Sequence, residues 1–562
     1  MLLSNLNLLA TAPGGVARLR ELILTLAVQG KLVPQDPNDE PASVLLKKIR
    51  AEKDRLVAAG KIKRDKPLAE MAEMAEVEKP FGLPRGWEWV KGRDLFSVIR
   101  GVTYQKMDAT DAPAETHLPI LRANNIRDTV NLDDLIYVPA TLVDAYQLLR
   151  SGDYVVCMAS GSKHLVGKAA PYRETLVCSF GAFCGAIRPI LEIAYFAVFL
   201  ASPMYRDSVS EASAGIGINN LKSSSLLNLD IALPTEAEQS RIVTRVEELM
   251  RLCDALEAKG QLEATQHAQL VSTLLGTLTE SETPEELADN WQRVATHFDL
   301  LLDRPEAVDA LEQTILQLAV RGLLVPQDSQ DEPASELLKK IRAEKGKLIA
   351  DGKIKRDKPL APVVADERPF EVPAGWEWAR LGDVANIASN LVQPALHRAA
   401  WQVAPDCIEK GTGRLLERRT VAQAEVISAN HLFKPGQILY SKIRPSLSKA
   451  VLVDFAGLCS ADMYPIETSL DSQYLLMFIL SQPFLDQVSI AENRVKMPKL
   501  NQEALVAFSV TVPPLVEQSR IVTRVAQLRS LCADLRQRLA ASSERQSQLA
   551  QSLVGMQSTT TV

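Results

Sequence analysis

Gly161-Ser-Lys-His-Leu-Val-Gly-Lys168 has the residue types of a phosphate-cradling loop, with glycines to let backbone N–H groups reach an anion and a lysine to meet its charge. The spacing argues against it. Five residues separate the glycines where such a loop needs four, and Ala169 follows the lysine where a Mg²⁺-binding hydroxyl belongs. Phe180-Gly-Ala-Phe-Cys-Gly185 carries glycines without a following helical pattern or a downstream ribose-binding acid, so it reads as a tight turn between strands. Asp406 followed by Glu409-Lys410 has the residue types of a metal-dependent nuclease core, but the acid and lysine lack the one-residue gap, and the segment reads as a loop. The histidines, His117, His164, His267, His297, His397 and His431, form no close pair for chelation, and no Gly-x-Ser-x-Gly elbow is present. An Asn-Pro-Pro-aromatic tetrad, which would hold a flipped adenine for amino-methylation, is absent as well. By elimination the chain binds rather than catalyses, and nothing in it calls for a cofactor or a metal.

The elements that would position any binding residues occur twice. Leu26–Leu68 returns nearly unchanged as Leu318–Leu360, 292 residues further on. Glu238-Gln-Ser-Arg-Ile-Val-Thr-Arg-Val246 returns letter for letter at Glu517–Val525, 279 residues further on. Each repeat reads helix, helix, head, long helix. The first helix, Val16–Val28 and again Val308–Val320, stops at Gly30 or Gly322; the second follows Asp-Glu-Pro and stops at Gly60 or Gly352. The heads open on Pro-x-Gly-Trp-Glu-Trp and continue in short strand-like segments such as Ser151–Cys157 and Pro435–Ser441, yet they share few residues. Proline ends the exit strands Ile231–Pro234 and Val510–Pro513 before the long helices begin.

In those helices, Ile242, Val246, Leu249, Cys253 and Leu256, and likewise Ile521, Val525, Leu528, Cys532 and Leu535, keep heptad-like spacing. Two equivalent apolar seams in one chain can satisfy each other as an antiparallel coiled coil. The fold class expected is therefore α+β: two α/β heads separated by long antiparallel coiled-coil helices in a pseudo-twofold internal repeat. The expected borders are an N-terminal helical region 1–85, a first head 86–236, a central helical region 237–374, a second head 375–515 and a C-terminal helical region 516–562. The central region includes a connecting helix at 284–302, opened by a Thr283-x-x-Glu286 capping box and carrying an apolar stripe of Leu287, Trp291, Val294, Phe298 and Leu301.

A chain of 562 residues with 46% apolar content exceeds one hydrophobic core and fits a soluble multidomain protein. No apolar run reaches membrane-spanning length and the first residues lack a secretory pattern, so the expected compartment is the cytoplasm, with no membrane partner. Seven scattered cysteines suggest neither disulfides nor zinc, and are expected to be buried apolar residues. The net charge of −6 argues mildly against nucleic acid, and neither head has a basic surplus. A head that touches DNA must gather its cations on one face, or a partner must supply part of the field.

With these residues in view, the chain resembles the specificity subunits of type I restriction-modification enzymes. The resemblance is carried by the two unlike heads, their Gly-Trp openings, and the exit Pro-Pro-Leu-x-Glu-Gln-x-Arg-Ile-Val at Pro513–Val522, with a looser copy at Leu233–Val243. It spans nearly the whole chain. It implies that each head is a target-recognition domain reading half of an asymmetric, interrupted site in double-stranded DNA. It also implies that the helices set half-site spacing and dock two methyltransferase (M) subunits, with restriction/translocase (R) subunits joining the full complex. The complex would methylate adenine N6 and, with the nuclease subunit, cleave DNA at the expense of ATP; the chain itself would be non-catalytic.

On that reading, the candidate DNA-contacting residues of the first head are Arg122, Asn124 and Asn125; Lys163, His164 and Lys168; and Asn219, Asn220 and Lys222. Those of the second are Lys442, Arg444, Ser446 and Lys449, then Arg494, Lys496, Lys499 and Asn501. Asparagine suits adenine, arginine and lysine suit guanine, and these residues fall on polar or glycine-rich loops. Solvated surface or ordinary turn chemistry would produce the same residue types. The duplicated Gly60–Lys66 and Gly352–Lys358 could meet phosphates or a partner, or form a charged helix exit. Arg241, Arg245, Arg520 and Arg524 could support docking or surface ion pairs, and the four head-opening tryptophans read as packing. Two other functions stay open: a helical adaptor that never meets DNA, and a self-sufficient modification enzyme.

Overall fold

The computed structural model describes residues 11–62, 79–212, 219–281, 283–352, 359–491 and 498–559. The chain divides into two compact units, Met1–Leu262 with Ser543–Val562, and Glu263–Ser542. Each unit thus takes in the far end of a long helix that begins in the other.

In the first unit, helix Gly15–Val28 buries Leu19, Leu22, Ile23 and Leu26 on one face, as their three-and-four spacing requires, and ends before Gly30 at φ +67°. Helix Ala42–Ala58 follows, with Pro41 just outside its first turn and the Ala42 N–H donating to the Gly86 carbonyl at 2.8 Å. The second unit repeats this with helices Pro305–Arg321 and Ala334–Ala350, and the Ala334 N–H donates to the Gly375 carbonyl at 2.8 Å. The long helices run Glu236–Glu280 and Leu515–Thr559, somewhat beyond the apolar seam at each end. Ile242, Val246 and Cys253 join Ala550 in the first unit's core; Ile521, Val525 and Cys532 join Val271, Leu275 and Leu278 in the second's.

The connecting segment departs from the single helix expected. Helix Pro284–Thr296, capped by Thr283 Oγ1 accepting from the Glu286 N–H at 3.2 Å, stops at His297, and a short turn Phe298–Leu301 follows. Only part of the expected stripe is buried: Val294 and Leu301 are buried, one on each side of the break, while Trp291 and Phe298 are 41% and 37% exposed.

Each head hangs on a two-stranded ribbon made by its opening and its exit, Glu88–Lys91 against Asp230–Leu233 and Glu377–Arg380 against Ser509–Val512, both antiparallel. Above it, the first head has an antiparallel sheet in the order Phe96–Arg100, Cys184–Pro189, Tyr154–Cys157, Ala169–Pro171. The second head has the same order with Ala385–Ile387, Met463–Thr468, Ile438–Ser441 and Ala450–Leu452. A second sheet in each head pairs His117–Leu121 with Ser179–Phe180, or Trp401–Val403 with Gly457–Cys459, in parallel. The central strands Tyr154–Cys157 and Ile438–Ser441 are buried at every position, so mostly apolar residues on both faces hold the shared topology. All seven cysteines are buried and free. No single described helix is long and apolar enough to cross a membrane.

A buried polar node joins each ribbon to its scaffold. Trp87 Nε1 donates to Glu238 Oε2 at 2.7 Å, and Gln35 Nε2 donates to Glu238 Oε1 at 2.6 Å. Trp376 and Gln327 make the same bonds to Glu517 at 2.9 and 2.8 Å. Beside each node an arginine pairs with an aspartate at 2.5 Å, Arg241 with Asp39 and Arg520 with Asp331. These two arginines therefore hold the scaffold together internally. Burial pushes both glutamate pKa values up against the opposing pull of their donors, whereas the Arg241 hydrogen bond holds Asp39 below its ordinary value.

Candidate nucleic-acid interface

The first head brings its candidate segments together. Strand Asn219–Asn220 pairs antiparallel with Ala159–Ser160, and the Leu221 N–H donates to the Met158 carbonyl at 2.7 Å. Lys163 and His164 stand exposed on the turn that follows Ser160, and Lys222 is exposed after Leu221. Lys168 closes the hairpin and reaches Asp128 at 3.5 Å, which ties in the loop bearing Arg122 and the exposed Asn124. The glycine that gave this hairpin its P-loop look has a packing cause. Gly167 sits at φ +78°, a Cβ there would lie 2.0 Å from Val209 Cγ1, and its carbonyl accepts from Tyr205 Oη at 2.8 Å.

Asn125 corrects the expectation. It is 1% exposed, its Oδ1 accepts from the Arg122 N–H at 2.8 Å, and its Nδ2 donates to the carbonyls of Asn131 and Asp133 at 3.0 and 2.7 Å. The amide closes its own loop and has nothing left to offer a base. Arg122 stays partly exposed, with one guanidinium nitrogen donating to the Asp134 carbonyl at 2.7 Å.

The second head assembles the same site from other residues. The Leu500 N–H donates to the Lys442 carbonyl at 2.9 Å and the Arg444 N–H to the Pro498 carbonyl at 2.9 Å, so the 442–449 hairpin lies against 498–501. Arg444 and Ser446 are exposed at its tip, where Arg444 and Ser448 both take left-handed backbone at φ 46° without being glycine. Three candidates there serve the loop. Lys442 Nζ donates to the Ala461 carbonyl at 2.7 Å, Lys449 Nζ to the Pro405 carbonyl at 2.6 Å, and Asn501 Oδ1 caps helix Gln502–Ala507 by accepting from the Ala504 N–H at 2.7 Å. Lys499 is exposed and pairs with Asp462 at 3.3 Å. Arg494 and Lys496 lie outside the described residues, as do most of the duplicated Gly60–Lys66 and Gly352–Lys358 stretches.

Two features escaped the sequence. Asp406, Cys407 and Glu417 converge closely enough to hold a cation, but the Arg419 guanidinium already lies among them, 2.6 Å from Asp406, 2.8 Å from Cys407 Sγ and 3.2 Å from Glu417. The cluster is an arginine-centred loop clasp, in keeping with the loop reading of Asp406. The other is Phe183, 65% exposed on the turn beside Ser160; its flanking glycines predict the turn but not the side chain's exposure.

His431 adds a pH-sensitive support in the second head. It is 5% exposed, and burial, aided by the nearby Lys442, lowers its pKa from the ordinary 6.5. A depressed histidine stabilises the fold above the unfolded-state value and loses that contribution as pH falls below about 6.5. Denaturant unfolding should accordingly show stability dropping between pH 7 and pH 5, and His431→Gln should flatten that drop. An unchanged acid limb in the variant would place the effect elsewhere.

The family model for the type I restriction modification DNA specificity domain matches residues 84–266 and 373–542, one match per head and the helix that follows it. The chain belongs to the type I restriction-modification specificity-subunit family. Among its relatives, the EcoEI specificity subunit of Escherichia coli is 35% identical over 563 residues, covering 96% of this chain and 93% of that protein. The EcoAI specificity subunit of Escherichia coli is 34% identical over 571 residues with the same coverage, 96% and 93%. Among solved structures, the HsdS subunit of Thermoanaerobacter tengcongensis is 17% identical, covers 86% of this chain and 98% of that one, and superposes with a TM-score of 0.37. In this specificity subunit the basic, amide and hydroxyl side chains that are at least partly exposed and remain candidates are Arg122, Asn124, Lys163, His164, Lys168, Asn219, Asn220 and Lys222 in one head, and Arg444, Ser446 and Lys499 in the other.

Proposed function

We propose that this specificity subunit directs a type I restriction-modification complex to one asymmetric, interrupted DNA sequence, with residues 86–236 and 375–515 as its two target-recognition domains. The observation that carries the reading is the contrast within the chain. The Trp-Glu-Gln nodes and their arginine clasps are the same in both units, while the hairpin tips they support differ at almost every side chain. Equal scaffolds offer equal docking surfaces to two copies of one methyltransferase subunit, and unlike tips read unlike half-sites. Translocase subunits would join the same assembly, adenine methylation and DNA cleavage would be the work of those partners, and the complex would act in the cytoplasm on double-stranded DNA. Membership in a DNA-specificity family favours this over an adaptor that never meets DNA. Each head carries some exposed or partly exposed cations at its tip, Lys163, Lys168 and Lys222 in one and Arg444 and Lys499 in the other, so the overall acidity of the chain is compatible with contact there.

Incubating the chain with its methyltransferase partner, S-adenosylmethionine and DNA is expected to methylate adenine at a single bipartite sequence. Methylation spread without sequence preference would refute the proposal, and methyl transfer by the purified chain alone would show it to be an enzyme instead.

A further inference from the structure

Backbone hydrogen bonds match the two tips position by position, independently of sequence alignment. The Met158 N–H donates to the Phe183 carbonyl at 2.8 Å and the Lys442 N–H to the Asp462 carbonyl at 3.0 Å. The Leu221 N–H bonds the Met158 carbonyl as the Leu500 N–H bonds that of Lys442, and the Cys157 N–H meets the Lys168 carbonyl as the Ser441 N–H meets that of Lys449, both at 2.9 Å. The turn is closed by Cys184 to Gly181 in one head and Met463 to Ser460 in the other. Phe183 therefore stands where the second head has Asp462, Met158 where it has Lys442, and Asn220, one residue before Leu221, where it has Lys499 before Leu500.

The chemistry at these matched places is opposite. The first head presents a 65% exposed phenyl ring and an exposed asparagine on the two segments that hydrogen-bond the buried Met158. The second presents an exposed lysine held by a carboxylate at 3.3 Å, with a second lysine anchored beneath it on the Ala461 carbonyl. Phe183 adds nothing to the core, and it stands at the tip where the second head places the Asp462 that holds Lys499. In the major groove, apolar groups recognise the thymine methyl, asparagine pairs with adenine N6 and N7, and lysine donates to guanine O6 and N7.

We infer that Phe183 and Asn220 read an A·T pair in the half-site of the first head, and that Lys499, oriented by Asp462, reads a G·C pair at the structurally equivalent place in the other half-site. The inference deepens the proposed function and rests on it.

The test uses the full chain assembled with its methyltransferase partner on a library of randomised DNA, with methylated adenines located by sequencing. Phe183→Ala is expected to lower discrimination roughly tenfold at one A·T pair of one half-site and to leave the other half-site as it was. Lys499→Ala should relax one G·C pair, and only in the half-site that Phe183→Ala spares. Phe183→Leu should keep most of the discrimination and Phe183→Asp, the second head's own residue, should lose it, which separates recognition from folding. Relaxation of a G·C pair by Phe183→Ala, equal loss on all sequences, or no change in either variant would overturn the assignment. If the parent complex gives no interrupted sequence, the specificity reading itself falls and takes this inference with it.

Discussion

Replacing Arg188 by alanine is expected to destabilise the first head by about 3–5 kcal/mol, the range for removing one partner of a buried ion pair. Asp153 is 2% exposed and Arg188 grips it twice, through Nε at 2.8 Å and a terminal nitrogen at 2.6 Å, while the same guanidinium bonds the Leu148 carbonyl at 2.7 Å. Without the arginine a buried carboxylate keeps only the Arg150 N–H at 2.9 Å. The second head shows the neutral alternative. Its equivalent turn has Gln437, whose Oε1 accepts from the Lys434 N–H at 2.9 Å, so the turn can be closed without charge. The double variant Arg188→Ala with Asp153→Asn should therefore recover most of the loss. Urea unfolding followed by tryptophan fluorescence would measure both, and a single variant within about 0.5 kcal/mol of the parent would show that Asp153 finds another partner or water.

The second large effect is expected at Gly322, where alanine should cost about 2–4 kcal/mol, from a left-handed backbone and a steric clash together. The residue sits at φ +76°, and a Cβ would lie 2.5 Å from Pro373 Cγ and 3.1 Å from Trp376 Cζ2. Trp376 cannot retreat, because it is buried and its indole N–H is held by Glu517. Gly352 supplies the control. It has φ +70° with nothing within 4 Å of a Cβ, so alanine there should show only the backbone part, about 1–2 kcal/mol. Equal losses at the two positions would remove the clash from the account. Gly30 repeats the geometry of Gly322, with Pro84 Cγ at 2.4 Å and Trp87 Cζ2 at 3.0 Å from a Cβ, and should behave like it.

Local pattern made much of the scaffold legible. Leucine and isoleucine at helical spacing, with glycine after the last turn, located helices Gly15–Val28 and Pro305–Arg321 within a few residues, because a helix buries one face and needs a left-handed stop. The same pattern overreached at 284–302, where five apolar residues at helical spacing describe one helix and the chain breaks at His297. The candidate tips were legible as loops and not as roles. Asn125 and Asn220 are alike as sequence, both asparagines beside another asparagine, yet one closes its own turn in the interior and the other stands in solvent. Phe183 passed for a turn residue because glycines announce a turn without saying which way the side chain between them points.

From the sequence alone came the duplication, the unlike heads and the family resemblance, since each is a property of residue order and local periodicity. Tertiary structure alone decided which residues meet. Gln35, Trp87 and Glu238 recur as Gln327, Trp376 and Glu517 at three different separations, so no single offset could join them. Only folding, by bringing a helix end, a ribbon and a second helix against one buried carboxylate, makes them a node. The pairing of Phe183 with Asp462 as equivalent positions is likewise invisible in the letters, because it is defined by which backbone N–H each carbonyl accepts and not by what each side chain is.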